Sequence, residues 1–333
     1  MTQNSSLEFA NARIKSLENN LLTADKITRM VDSVTLDEAV KILAESNYGG
    51  GMGIDNPRLF DRILRAEEKS VTEFICSLMP EGYGVECFVL RNDYHNAKAF
   101  VKAKYSSISD TNIMLKPSGT VDIEKLQEGI MSDNYNAFPE NMKKALEEID
   151  LAFVNNNRSP RKIDVMLDRA MFVDIFGRLI GSKTGIIKQY FIKLADLTNI
   201  ATMIRSKRAN MTLKSFEESF INGGALEYSA LAALYEMNVE SIAEAMRYND
   251  YAQAFARLSE DRNDALVKYE VYMDNALLSV FKAERHNMFS PAPIAGYYLG
   301  KLTEIKVARL ILVCINNNVE KSVIRQRLRE LYA

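Results

Sequence analysis

The chain has 333 residues, with 42 Lys and Arg against 44 Asp and Glu, which gives a formal charge of −2. A near-neutral chain lacks the basic excess that neutralises phosphates, so dedicated nucleic-acid binding is excluded. Its 47% hydrophobic and 26% charged residues are typical of a folded protein that buries a sizeable core without disulfides.

Glycine and proline are scarce, at 15 and 7 residues, well below the average usage of roughly 12% for the two together. A sheet protein with many tight turns needs more of both, and no long run of alternating apolar and polar residues is present. The sequence therefore predicts an all-α fold. Three cysteines without CxxC spacing, and no signal peptide or spanning apolar stretch, predict a cytoplasmic chain.

The first long helix is predicted from Phe60 to just before Pro80, because apolar residues recur there at helical spacing. Asp55 or Asn56 is its expected N-cap, with Pro57 in the first turn. Similar apolar stripes predict two further long helices, over 167–180 and 273–281.

These three helices resemble one another, and the similarity extends to the helix that comes after each of them. The repeated aspartates lie 107 and 106 residues apart along the chain: Asp61, Asp168 and Asp274. A second acid lies on the next helix, 32, 28 and 30 residues later: Asp93, Asp196 and Glu304. The constant order and similar spacing of two landmarks predict an internal triplication.

Shorter helices complete each copy. They are predicted at 121–130, 213–221 and 319–331, and the opening helices of the first and third copies align at an offset of 203, while the middle opening lies around 142–153. The sequence predicts three helical-bundle repeats at 1–133, 134–222 and 223–333, each near the size of one bundle.

Segments spread along the whole chain resemble the C subunit of V/A-type rotary ATPases, the counterpart of the eukaryotic d subunit. They include NDYHNAK at 92–98 and PIAGYY at 293–298, and the others lie at 12–22, 36–48, 304–309 and 324–332. This resemblance implies a funnel of three similar helical domains with pseudo-threefold symmetry. The implied partners are the central-stalk subunits and the cytoplasmic face of the membrane rotor ring, between which the funnel passes torque without binding nucleotide or ion.

Two glycine-containing segments imitate phosphate loops but fail the requirements of such sites. In 177–184 Ser182 stands where a glycine must precede Lys183, and the residues before it are helical instead of extended, so a helix end is predicted. The run Gly49–Gly53 lacks the GxGxxG spacing and a preceding strand, and is predicted to be a hinge between helices.

No catalytic, cofactor or metal residue is expected. His95 and His286 are the only histidines, and neither has the glutamate three residues upstream that a di-metal bundle requires, so both are expected at the surface. The alternatives left open are a cytosolic helical-repeat adaptor and, less favoured, an all-α enzyme with an interdomain pocket.

The repeated acids have two interpretations. They line a wall that faces a partner, or each pairs with a base inside its own domain, such as Arg62 or Arg169, and the second is favoured because a buried acid needs a partner. The basic runs at 205–208 and 321–329 are expected to be solvated or to stabilise helix ends, with a partner-binding rim as the alternative.

Overall fold

The computed structural model describes residues 6–52, 56–106, 115–154, 159–260 and 264–332, and within these ranges the secondary structure is helical without any strand. The all-α prediction is therefore confirmed. The α-helices are α1 (Leu7–Leu17), α2 (Ala24–Asp32), α3 (Leu36–Glu45), α4 (Phe60–Leu78), α5 (Glu86–Ser106), α6 (Ile123–Met131), α7 (Glu140–Val154), α8 (Pro160–Arg178), α9 (Gly185–Arg208), α10 (Leu213–Ser219), α11 (Tyr228–Tyr235), α12 (Val239–Ala245), α13 (Ala252–Ser259), α14 (Ala265–Lys282), α15 (Ala292–Asn316) and α16 (Lys321–Gln326).

The three predicted long helices are α4, α8 and α14. A 3₁₀ turn, Pro57–Leu59, leads into α4, and the Asn56 side chain caps this turn by accepting the Arg58 N–H at 3.0 Å. The α-helix itself begins after Leu59, which provides no side-chain cap. Asp55, the other expected cap, lies outside the described residues.

The last helix, α16, is shorter than the predicted span of 319–331. Its chain leaves the helix at Arg327, although Leu328 and Leu331 still pack against the hydrophobic core. Tyr332 then fills a notch on α15, where a Cβ on Gly296 would come within 2.5 Å of its ring. The apolar residues after Arg327 are therefore buried by an irregular tail, and not by the predicted helix.

Packing divides the chain into two compact units. Unit 1 comprises Met1–Glu81 with Val267–Ala333, so it joins the two ends of the chain, and unit 2 comprises Gly82–Leu266. In unit 1, α15 packs against α1 to α4 around one apolar core. In unit 2, α8 packs on α5 and α7, while α9 packs on α10, α11 and α13. This division concerns packing and does not test the three predicted repeats.

The two glycine segments lie between helices, as predicted. Gly49, Gly50 and Gly51 have φ of +63°, +70° and +76°, a left-handed turn between α3 and α4; Gly53 lies outside the described residues. After α8 ends at Arg178, Gly181 takes φ +146° and the Thr184 hydroxyl donates to its carbonyl at 2.9 Å. The helix end predicted for 177–184 is confirmed.

Candidate functional site

The second set of repeated acids forms three similar buried sites. Asp93 on α5, Asp196 on α9 and Glu304 on α15 are each 0% exposed. We name the sites clamps 1, 2 and 3, because each acid binds at least one main-chain amide of a separate segment of its own unit.

Clamp 1 joins α5 to the segment before α6. Asp93 Oδ2 accepts the Thr120 N–H and the Thr120 hydroxyl, both at 2.7 Å, and Oδ1 accepts the Val121 N–H at 3.2 Å. Burial raises the pKa of the Asp93 carboxyl, and the hydrogen bonds from Thr120 and Val121 offset only part of that effect.

Clamp 2 joins α9 to the segment before α11 and to the start of α13. Asp196 Oδ1 accepts the Leu226 N–H at 2.9 Å, and Oδ2 accepts the Ala225 N–H at 3.0 Å. The Tyr251 hydroxyl also donates to Oδ2, at 2.6 Å. These are charge-assisted hydrogen bonds, which are stronger than those between neutral groups.

An asparagine three residues after the acid extends clamps 1 and 2. Asn96 accepts the Lys116 N–H at 2.8 Å and donates to the Lys116 carbonyl at 3.1 Å. Asn199 makes the same pair of bonds with Ile221, at 2.9 and 2.8 Å. One helix face therefore fixes two successive points of the neighbouring segment in each clamp.

A glycine lets the bound segment approach the acid in both of these clamps. A Cβ built on Gly119 would lie 2.5 Å from Asp93 Oδ1, and one on Gly224 would lie 2.1 Å from Asp196 Oδ1. Each glycine directly precedes the two residues that donate their amides. Any side chain at these positions would push the carboxylate or the bound segment aside.

Clamp 3 departs from this pattern. Glu304 Oε1 accepts the Leu22 N–H at 2.9 Å, and Oε2 accepts the Tyr48 hydroxyl at 2.7 Å. Asn20 stands two residues before Leu22, where clamps 1 and 2 have glycine, and Val307 replaces the asparagine. The side chain of a glutamate is one methylene longer than that of an aspartate. We attribute the glutamate in clamp 3 to the segment around Leu22, which lacks the glycine that allows a close approach.

Lys301 also belongs to clamp 3. Its ammonium lies 2.8 Å from Glu67 on α4 and 3.3 Å from Glu304, and it stacks 4.1 Å from the centre of the Tyr48 ring. Burial raises the pKa of Glu304 to about 7, while Lys301, Tyr48 and the Leu22 amide oppose that rise. Clamp 3 is thus the one of the three in which a buried ammonium meets the acid.

The acids are bound inside the units, but the bases named from the sequence are not their partners. Asp93 binds main-chain amides instead of Arg62, and Arg169 donates to the Glu218 carbonyl. The ion pairs expected with Arg62 and Arg169 were wrong, because amide donors do not depend on residue type and leave little trace in a sequence. Glu304 does pair with a base, Lys301, which was not predicted from the sequence.

The first set of repeated aspartates makes ion pairs between helices. Their partners lie 2.6–2.9 Å away on α5 or α15: Asp61 with Arg309, Asp168 with Lys98, and Asp274 with Lys306. Lys98 and Arg309 each follow the clamp acid of their helix by five residues. Partial burial acts to raise the pKa of Asp61, but hydrogen bonds from Arg65 and Arg309 outweigh it and hold the pKa below its usual value.

The basic runs bind carbonyls and carboxylates of the same unit. Arg208 at the end of α9 donates to the Leu258 and Glu260 carbonyls at 2.7 and 2.8 Å. Arg325 on α16 pairs with Asp32 at the end of α2. These contacts stabilise helix ends, as expected, and Arg208 does so by direct bonds to a separate segment.

Three other features of the part of the chain that the structure describes bear on function: metal ligands, histidines and the apolarity of its helices. No three His, Cys, Asp or Glu side chains gather there as metal ligands. Both histidines are exposed. None of the described helices has the length and apolarity required to cross a bilayer.

Comparison with known proteins decides the family. Residues 10–327 match the family described as ATP synthase (C/AC39) subunit. The chain belongs to this family. The resemblance seen in the sequence is confirmed over nearly the whole chain.

Relatives of this C/AC39 chain align over most of their length at low identity. The C subunit of the V-type sodium ATPase of Enterococcus hirae is 21% identical over 97% of this chain and 98% of its own. The C subunit of the A-type ATP synthase of Desulfurococcus sp. is 24% identical over 97% and 89%. That of Methanocaldococcus jannaschii is 21% identical over 97% and 86%.

Several clamp residues of this C/AC39 protein were missed by sequence reasoning. Asn96 and Asn199 stand in the repeated segments, where the shared Asp-x-x-Asn spacing was a usable signal. Tyr48 and Tyr251 align at the offset of 203, so their common role was also accessible. The glycines carried no signal, because only the fold shows which acid each one approaches.

Proposed function

We propose that this chain is the non-catalytic coupling subunit of a V/A-type rotary ATPase, joining the central stalk to the membrane rotor ring. The observation that carries the proposal is the match of residues 10–327 to the C/AC39 family, with relatives named as ATPase and ATP synthase subunits that align along their length. The partners are central-stalk subunits of the ATPase head and the cytoplasmic face of the ring. The chain then lies peripherally on the cytoplasmic side.

The mechanism is mechanical. Torque passes through a protein only if its elements resist displacement, and close-packed helical cores do so because their side chains cannot slide without opening voids. The clamps support this role, since each pins a helix of 21 to 25 residues to a separate segment through buried hydrogen bonds.

The proposed architecture is a funnel of three similar helical domains around a pseudo-threefold axis. It is supported by the recurrence of one buried device on α5, α9 and α15, which is expected if three domains descend from one ancestral unit. The repeats at 1–133, 134–222 and 223–333 remain the proposed divisions. A central concavity of such a funnel suits an axial stalk.

Co-purification from membranes tests the assignment. The tagged full-length chain is extracted from its own cells in mild detergent, and the bound proteins are identified by mass spectrometry. The proposal predicts stalk and ring subunits together in one complex that hydrolyses ATP. Recovery of the chain without ATPase subunits contradicts it, and recovery with unrelated cytosolic peptides supports the adaptor.

A further inference from the structure

Clamp 3 holds more buried charge than clamps 1 and 2. Lys301 lies between Glu67 at 2.8 Å and Glu304 at 3.3 Å, so two carboxylates share one ammonium. Lys301 is 3% exposed and Glu304 is 0% exposed. Glu67 is partly exposed, with 16% of its side chain accessible. With all three groups ionised the cluster carries a net negative charge that is largely shielded from water, which is unfavourable and is relieved by uptake of one proton.

The groups around Glu304 do not cancel that charge. Tyr48, after α3, and Tyr297, on α15, are neutral phenols. Glu18, beside α1, acts on Tyr297 and is itself paired with Lys15 on α1 at 2.7 Å, so this pair adds no net charge. The hydrogen-bond and ion-pair partners of Glu304 are Leu22, Tyr48 and Lys301. Helices α2, α3 and α16 contribute apolar side chains to the core that packs on α15.

We propose that clamp 3 is a proton-sensitive latch, in which one proton on the Glu304 carboxyl group sets how firmly the segment before α2 and the glycine turn after α3 are held to α15. Taken up at Oε2, the proton makes a carboxylic O–H that donates to the Tyr48 oxygen, whose own hydrogen turns away. Lys301 keeps its partner Glu67, and Oε1 continues to accept the Leu22 N–H.

The same cluster holds the glycine turn. The Gly49 N–H donates to Glu67 Oε2 at 2.9 Å, and Gly49 has φ +63°. A Cβ at Gly49 would meet the Ile63 backbone oxygen at 3.2 Å, so the turn is seated closely on α4. Opening of the latch therefore frees two stretches of backbone, at Leu22 and at Gly49.

The direction of the pH effect follows from the buried state. Burial raises the pKa of Glu304 to about 7 from an ordinary 4.5. The closed latch therefore binds the proton more tightly than an open, hydrated one, and its stability falls as pH rises between those two values. Burial and the neighbouring Glu304 raise the pKa of Tyr48 well above its ordinary value, so Tyr48 keeps its proton throughout.

Hydrogen exchange of the full-length chain tests the latch and does not depend on the proposed function. Amide protection in peptides containing Leu22 and Gly49 is followed from pH 5.5 to 8, with correction for the intrinsic rate. We expect protection in the wild type to fall about tenfold or more, which corresponds to a pKa difference of one unit or more. In Glu304→Gln, an isostere of the protonated acid, protection stays level.

Two comparisons make the result decisive. The first is Glu67→Gln, which leaves Lys301 with a single acid and is expected to flatten the dependence of protection on pH as well. The second is an internal control: the amides of Ala225 and Leu226 in clamp 2 should show the same protection in wild type and Glu304→Gln. Equal pH profiles for wild type and Glu304→Gln overturn the proposal. If Glu304→Gln does not fold, a wild-type slope retained in Glu67→Gln overturns it equally.

Discussion

At the level of single residues, clamp 2 shows how hydrogen bonds from main-chain amides and a hydroxyl satisfy a buried acid. Asp196 receives two amide hydrogens and one hydroxyl hydrogen, which satisfy both oxygens of the carboxylate. Such bonds act over a short range and fix direction, so they hold the bound segment in one position.

Asp196→Asn is expected to destabilise unit 2. The carboxamide keeps one acceptor oxygen, but its NH₂ group faces a buried N–H or O–H donor, so both groups lose their hydrogen-bond partner. We expect the free energy of unfolding to fall by about 2–3 kcal/mol. Tyr251→Phe removes a single donor and should cost about 1.5 kcal/mol. Urea unfolding of both variants measures this, and an Asp196→Asn midpoint equal to that of the wild type contradicts the clamp.

Gly224→Ala tests the close approach of the segment to the acid. A methyl group 2.1 Å from Asp196 Oδ1 must push the segment or the carboxylate aside, with an expected loss of about 1–3 kcal/mol. Gly177→Ala is the matched control, because nothing lies within 4 Å of a Cβ there and alanine favours the helix by about 0.5–1 kcal/mol. Thermal unfolding should move in opposite directions for the two variants, and a common shift contradicts the account.

At the level of elements, helical periodicity could predict the class of fold and the long helices. The stripe on α4 was sufficient because apolar residues at helical spacing are buried from Phe60 to Leu78, and the helix ends close to the predicted stop before Pro80. The expected N-cap placed its start too early, because Pro57–Leu59 forms a 3₁₀ turn before the α-helix begins. The same rule failed at α16. Leu328 and Leu331 are spaced as on a helix, but their burial is achieved by an irregular tail.

The sites themselves were harder to predict than the helices. The repeated acids could be found from spacing, whereas their partners are backbone groups of distant segments. Thr120 and Ala225 lie 27 and 29 residues from their acids, and Leu22 lies near the other end of the chain from Glu304. Every residue except proline has the same main-chain N–H, so the sequence does not show which amides bind an acid. The partners are identified only from the folded structure.

The notch on α15 makes a prediction about the C-terminal tail. Tyr332 is 1% exposed and packs against Gly296 and Gly300, so Tyr332→Ala should destabilise unit 1 by about 3–5 kcal/mol. Tyr248→Ala, at a residue 87% exposed, should change stability by less than about 0.5 kcal/mol. Equal unfolding midpoints for these two variants would show that the tail is not part of the fold.

At the level of the whole molecule, the proposed funnel predicts a larger particle than a compact globule. A compact chain of this length has a radius of gyration of about 20 Å, and a hollow arrangement of three domains must exceed it. Small-angle scattering of the isolated chain measures this radius. A value at the compact figure argues for the enzyme alternative with an interdomain pocket.

The central claim is that this chain transmits torque between the stalk and the ring. Its most direct test is the number of ions transported per ATP hydrolysed in vesicles containing the complex, assembled with the chain or without it. The account predicts that omission abolishes ATP-driven transport while the head continues to hydrolyse ATP, and that adding the purified chain back restores transport. Undiminished transport per ATP in complexes that lack the chain would contradict it.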